Sequence, residues 1–249
     1  MSELLTNPSQ VGVDGGYPQR IVVPDEFLDW ELEMLDYDPT YYVSDHVLEK
    51  SGSEADLEDF RFTGHTFKSM GGELRRDLHD RPLNPLGRTG IAGRGKLYRW
   101  GPNRTADMIL TRGYGDELEV VLGRRRDNKK LAIIGGFVDP GEITLQAAVR
   151  ETLEEINIDL LHDIEELAPL IVCRGIVRHS TRMTDHAWIE STVYNVDATK
   201  THVAEMEPIA GDDLLPGSAA WMRLSEVSLE DLHDDHASYL KQAAFLLSN

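Results

Sequence analysis

Residues 136–158 read GFVDPGEITLQAAVRETLEEINI. Glu142 stands six residues after Gly136, Arg150 and Glu151 follow eight and nine residues beyond it, and Glu154 and Glu155 close the row. From residue 144 the composition favours helix, with neither Gly nor Pro before Ile158, and Thr144 is expected as the N-cap. At about 100° per residue, Leu145, Ala148, Val149, Thr152, Leu153 and Ile156 share one arc, while Arg150, Glu151, Glu154 and Glu155 take the other. Glu151 neighbours both Glu154 and Glu155, at spacings where like charges destabilise an isolated helix by about 0.2–0.5 kcal/mol per pair. A hard divalent cation, Mg2+ or Mn2+, is the natural offset. The plainer alternative is an acidic, solvated helix face.

Upstream, the apolar run 131–134 reads as a buried strand leading into a loop at Gly135 and Gly136. Asp139-Pro140-Gly141-Glu142 has tight-turn chemistry, with Pro presetting φ and Gly supplying φ > 0. Strand, glycine loop and helix would gather backbone N–H groups and carboxylates around one spot.

This segment resembles the signature box of the Nudix hydrolases, G-x5-E-x7-R-E-U-x-E-E-x-G-U with U apolar, at Gly136, Glu142, Arg150, Glu151, Glu154, Glu155 and Ile158. Thr152 departs from an aliphatic position and Asn157 from the last glycine. Asn tolerates a left-handed helix end, and a buried Thr can bond back to the preceding turn. Outside the box, residues 82–113, VDPGE at 138–142, TRMTDHAWIE at 181–190, AGDD at 210–213 and LHDDH at 232–236 resemble the mitochondrial-type ADP-ribose pyrophosphatases. The ligand-binding domain of the ADP-ribose-gated cation channel shares them. With 35–39 and Tyr41-Tyr42, the similarity spans about residues 20 to 249.

The resemblance implies an α/β fold, the Nudix α/β/α sandwich with a mixed sheet (residues 83–249), plus a smaller N-terminal domain (residues 1–82) forming one wall of the cleft. It also implies metal-dependent hydrolysis of ADP-ribose to AMP and ribose 5-phosphate. Glu151, Glu154 and Glu155 would hold one to three Mg2+ or Mn2+ ions, with Glu155 the most direct ligand. Glu142 would position the loop or a water, and Arg150 would pair with a box carboxylate. Asp212 and Asp213 occupy the loop from which many relatives draw a further base or ligand; their alternative is a solvated turn. Glu190 is a second candidate, or simply a strand end. On the substrate side the resemblance points to Gly135, Gly136, Arg182, Leu232 and His236. Ser180, His233, Leu131 and Ile134 depart from the subfamily, where aspartate, tyrosine, tryptophan and proline stand. These departures keep open another nucleoside diphosphate derivative, such as a nucleotide sugar, a dinucleoside polyphosphate or NADH. A non-catalytic ADP-ribose sensor is the other rival, although its glutamate row is degraded in the channel and complete here.

The chain has 249 residues, 41% of them hydrophobic, which suits a folded protein with a large core. Its net charge of −19 disfavours nonspecific nucleic-acid binding. Residues 1–50 hold eleven acids against Arg20 and Lys50, whereas 84–113 hold Arg88, Arg94, Lys96, Arg99, Arg104 and Arg112 against Asp107. That glycine-rich basic stretch suits a small polyanion, or equally a set of salt bridges to the acidic N-terminal part. Cys173 is the single cysteine, in keeping with a reducing compartment. The N-terminal residues lack the marks of a secretory or mitochondrial leader and no apolar run spans a membrane, so a cytoplasmic enzyme is expected. A monomer that binds a small nucleotide, with no nucleic-acid or membrane partner, is the accompanying expectation. The pattern further predicts a helix over 25–35, polar stretches at 50–60 and 70–81, strands near 96–100, 108–111, 118–122, 131–134, 170–177, 187–196 and 219–224, and a last helix over 236–247. Trp100, Trp188 and Trp221 are read as core residues.

Overall fold

The structure is a computed structural model and describes residues 7–13, 15–51 and 69–247. The chain forms two compact units, Met1–Asn103 with Gly175–Glu190, and Arg104–Arg174 with Ser191–Asn249. The sequence places a boundary at residue 82; in the folded chain 83–103 and 175–190 group with the first unit. Buried polar contacts explain that grouping. Asn84 donates from its backbone to Asp185 O at 2.8 Å and from Nδ2 to Thr184 O at 3.0 Å. Asp185 in turn accepts from Thr89 N at 2.7 Å, Thr89 Oγ1 at 2.8 Å and the Tyr37 hydroxyl at 2.7 Å.

The first unit contains strand β1 (Tyr41–Val43), helix α1 (Asp45–Ser51) and strand β2 (Ala92–Gly95), with β1 and β2 parallel. The expected helix over 25–35 is not formed: a 3-10 turn spans Asp25–Phe27 and turns follow. The Arg88 guanidinium accounts for this, donating to the carbonyls of Phe27 and Asp29 at 2.6 Å and Leu32 at 2.8 Å. Carbonyls that an α-helix would pair internally are satisfied from outside. Residues 96–100 also fail to form the expected strand. The Asn103 side chain brackets Arg99, accepting from its N–H at 3.0 Å and donating to its carbonyl at 2.9 Å, so no ladder can use those groups. Of the polar stretch at 50–60, residues 52–60 lie outside the described residues.

The remaining elements are β3 (Gly101–Arg112), β4 (Glu119–Arg124), β5 (Leu131–Ala132), β6 (Ile134–Phe137), α2 (Thr144–Ile156), α3 (Ile164–Leu167), β7 (Leu170–Ile176), β8 (Ala187–Asp197), β9 (Ala220–Arg223) and α4 (His236–Leu247). The seven strands run β5-β4-β3-β8-β7, with β6 added to β3 and β9 to β4. Side chains alternate across β3 as strand geometry requires. Ala106, Met108 and Leu110 pack in a core with Ala147, Ala148, Val149 and Ile156 of α2. Ile109 faces a second core holding Tyr239, Leu240 and Ala243 of α4. A mixed sheet between helices, the α/β/α sandwich, is therefore the architecture.

The expected strand 131–134 is two strands. Ala132 pairs with Gly123 of β4, whereas Ile134 pairs with Met108 of β3. Ile133, at the switch, sends its N–H to His236 Nδ1 at 3.1 Å. Gly135 and Gly136, expected as loop, continue β6 opposite Asp107 and Ala106.

Candidate active site

Helix α2 begins one residue earlier than its side chains advertise. Ile143 is the N-cap, its N–H bonded to Gln146 Oε1 at 3.1 Å, while Thr144 is the first helical residue and joins the Tyr194 hydroxyl at 2.7 Å. At the other end Asn157 takes the left-handed conformation (φ 56°) and donates to Leu153 O at 2.9 Å. Thr152 is buried and donates to Ala148 O at 2.7 Å. The buried stripe is rotated from the expected one: Leu153 is 43% exposed and Glu155 only 7%.

Arg150 organises the acidic face. Its Nε and Nη2 each donate to a different oxygen of Glu142 at 3.0 Å, a two-point grip. Nη1 donates to Glu151 Oε1 at 2.7 Å and Glu154 Oε2 at 3.1 Å, and Nη2 also reaches Phe137 O at 2.9 Å. Glu142 Oε2 accepts in addition from the Asp139 N–H at 3.0 Å, closing the turn. One guanidinium thus ties the turn, the end of β6 and the helix together. It also supplies the charge offset that the sequence assigns to a metal.

The two glycines before the turn permit close approach. A Cβ on Gly136 would stand 2.4 Å from the Glu151 carboxyl carbon. A Cβ on Gly135 would stand 2.5 Å from both Ala106 O and Asp107 Oδ1. The Gly135 N–H donates to Glu155 Oε2 at 3.1 Å. Burial pushes the Glu155 carboxyl up to about 8, with the nearby Glu151 and Asp213 charges adding to it against the Gly135 N–H and Arg125. Burial also raises Glu151, opposed by Arg150, whereas the Arg150 hydrogen bonds hold Glu142 below the usual range.

Among the described residues no three His, Cys, Asp or Glu side chains converge as a finished coordination sphere. Arg150 Nη1 instead bridges Glu151 and Glu154. The donor set nevertheless fits a hard cation: two carboxylates already share one positive group, and the buried Glu155 carboxylate has the Gly135 N–H as its one donor among the described residues.

The NUDIX domain family matches residues 101–243, which include all of this constellation. The chain belongs to the Nudix family. The NUDT9-like, N-terminal domain family matches residues 23–101. A nudix hydrolase of Caenorhabditis elegans is 33% identical over 242 residues, 91% of this chain and 90% of that protein. The mitochondrial ADP-ribose pyrophosphatase of Rattus norvegicus is 32% identical over 266 residues, 92% of this chain and 75% of the rat protein. Transient receptor potential cation channel subfamily M member-like 2 of Nematostella vectensis is 31% identical over 268 residues, 92% of this chain but 17% of the channel.

Other candidate residues of this Nudix chain fall in different places. The loop carrying Asp212 and Asp213 is strapped to the end of α2, Gly211 N–H to Glu155 O at 2.7 Å and Ile209 N–H to Ile156 O at 2.9 Å. Both aspartates are exposed, and only the Asp213 charge is felt at Glu151 and Glu155. His236 is buried, accepts from Ile133 at Nδ1 and is held neutral by burial, with the neighbouring His233 adding to this. Leu232 pairs in parallel with Leu131 and packs in the α4 core. Arg182 belongs to the first unit, where its N–H meets Ser180 Oγ at 3.3 Å. Glu190 is fully buried and accepts from Ser69 Oγ, from Met70 N at 3.0 Å and from Trp188 Nε1 at 2.9 Å. It anchors the first unit. The basic stretch is largely structural: Arg88 holds carbonyls, Arg94 reaches Tyr98 O at 3.0 Å, and Arg112 pairs with Glu119 at 2.6 Å while lying 4.4 Å over Trp221. Trp100 and Trp188 are core residues and Trp221 is half-buried.

Two groups escaped the sequence reading. Asp107, buried in β3, accepts from Ser191 Oγ, and burial pushes its carboxyl up to about 6. Burial lowers the Arg125 guanidinium, but its pairing with Asp127 at 2.8 Å raises it on balance, with the nearby Glu155 and Asp234 charges adding to that. An aspartate inside an apolar run was the available signal for the first.

Proposed function

We propose that this Nudix hydrolase cleaves the diphosphate of ADP-ribose with water, giving AMP and ribose 5-phosphate in the presence of Mg2+ or Mn2+. The observation that carries this reading is the similarity to an ADP-ribose pyrophosphatase over 92% of the chain, N-terminal domain included. Glu151, Glu154 and Glu155 would hold the cation. When bound, it supplies charge neutralisation for the diphosphate and acidifies a water. Arg150 and Glu142 keep the turn registered on the helix, and the Gly135 N–H fixes the Glu155 carboxylate. Asp213, with Asp212 beside it, would take a proton from the attacking water. Gly135, Gly136, Arg182, Leu232 and His236 remain the proposed substrate contacts.

The channel relative favours a second reading, a domain that binds ADP-ribose without cleaving it. The complete glutamate row favours catalysis. Among the described residues no helix is long and apolar enough to cross a membrane. A cytoplasmic monomer remains our proposal, although the rat relative is a mitochondrial protein by name.

The test is incubation of the purified chain with Mg2+ or Mn2+ and ADP-ribose, a nucleotide sugar, a dinucleoside polyphosphate or NADH. AMP should form fastest from ADP-ribose, and Glu155→Gln should abolish turnover while leaving the melting temperature near that of the parent. Binding without turnover would favour the sensor, and a faster rival substrate would replace ADP-ribose.

A further inference from the structure

Asp107 is a carboxylate in the middle of a core strand. Its neighbours Ala106, Met108, Ile109 and Leu110 are fully buried, and Asp107 itself is 8% exposed. The β3–β6 register sets it opposite Gly135, whose N–H is committed to Glu155. Ser191 Oγ donates to Asp107 Oδ2, which fixes the carboxyl rotamer. The other oxygen, Oδ1, accepts no hydrogen bond from any described residue and lies against Gly135, where a Cβ would stand 2.5 Å away.

Oδ1 is not fully enclosed, so a ligand can reach it, and a carboxylate set in a core strand is costly where an apolar residue would serve the sheet better. The oxygen's surroundings say what it awaits. On one side stands the Gly135–Glu155 bond beside the acidic face of α2. On the other are Cys173 and Tyr239, whose ionisation burial opposes and the Asp107 charge opposes further. A carboxylate oxygen repels phosphate oxygens and accepts from hydroxyl donors. With a diphosphate held at α2, the donor that can reach past Gly135 is a hydroxyl of an adjoining sugar.

We propose that Asp107 Oδ1 accepts a hydrogen bond from a ribose hydroxyl of the nucleotide and determines specificity for it, with Ser191 as the positioning residue. This rests on the ADP-ribose reading above. The adenosine 2′-hydroxyl or a hydroxyl of the distal ribose could supply the bond, and the experiment separates them.

Wild type, Asp107→Asn and Ser191→Ala would be compared in steady-state hydrolysis of ADP-ribose and 2′-deoxy-ADP-ribose with Mg2+. Calorimetric binding of ADP, which lacks the second sugar, completes the set. Asp107→Asn should raise KM for ADP-ribose about 10- to 100-fold, the range for a hydrogen bond to a charged group, with kcat nearly unchanged. Ser191→Ala should raise it less, with the same selectivity, and carries the test if the asparagine variant does not fold. An unchanged KM for the deoxy compound assigns the nucleoside sugar, and unchanged ADP binding assigns the distal one. A wild type that yields no AMP would overturn the ADP-ribose reading. An active wild type would overturn the assignment of Asp107 alone if the variants keep their KM, lose equally with all three ligands, or lose affinity for Mn2+ by paramagnetic resonance.

Discussion

Arg150 and Glu142, eight residues apart, meet edge to edge, with Nε to Oε1 and Nη2 to Oε2 both at 3.0 Å. The same guanidinium spans Glu151 and Glu154, so turn and helix share one clamp. Arg150→Lys keeps the charge and loses the planar fork. We expect a folded variant whose kcat/KM falls about 10- to 100-fold, because reacting groups shifted by an ångström lose that much. Stability should fall by less than about 1 kcal/mol, since the clamp is partly solvated. Rates and denaturant titration check both halves, and parental rates would refute the clamp.

The closeness of Gly136 to Glu151 makes a separate prediction. Gly136→Ala places a methyl group 2.4 Å from the Glu151 carboxyl carbon, which a side chain can relieve by rotating. The fold should survive while Mn2+ affinity drops about tenfold or more, read by paramagnetic resonance. Gly135→Ala meets the Ala106 carbonyl at 2.5 Å, a backbone atom that cannot rotate away, so this variant should lose stability as well. Equal behaviour of the two variants would count against this geometry.

The α2 helix was legible because its signals are local: unbroken helix formers, an Asn at the left-handed end, and a Thr that can bond to its own helix. The α/β/α sandwich was legible through the same segment. What escaped depends on partners distant in sequence. Residues 25–35 look helical until Arg88 takes the Phe27 carbonyl from 61 positions away. The run 131–134 looks like one strand until His236, 103 positions on, satisfies Ile133 where the strand changes neighbour. Glu155 reads as a solvated charge because its burial depends on the 135–137 strand and the 209–213 loop, not on helix periodicity. Asp107 was visible as a charge in an apolar run, but only the β3–β6 register shows that it stands beside Gly135.

Asp212 and Asp213 are adjacent and both exposed, yet their electrostatic reach differs. Burial raises the carboxyls of Glu151 and Glu155, and of the two aspartates it is the Asp213 charge that adds to it. Asp213→Asn should therefore lower kcat by about 10²-fold or more if it takes the proton of the attacking water, with Asp212→Asn far milder. Steady-state rates of the two variants decide it. A larger loss in Asp212→Asn would reverse the assignment.

Asp185 gives the first unit a pH dependence of definite sign. Burial pushes its carboxyl up to about 6, against the Thr89 and Tyr37 hydrogen bonds and the nearby Arg20 charge. The unfolded chain would titrate this group near 3.9, so between about pH 4 and 6 the folded state binds the extra proton. Its contribution to stability is fully present below about pH 4 and is lost as pH rises through about 6. The largest size of the effect is about 3 kcal/mol by linkage. Asp185→Asn, which cannot ionise, removes the titration while retaining a side-chain acceptor for Thr89. Denaturant titrations between pH 4 and 7 should show the wild type gaining stability relative to Asp185→Asn as pH falls. A constant difference across that range would mean that Asp185 stays ionised when folded, held so by Arg20 and its three donors.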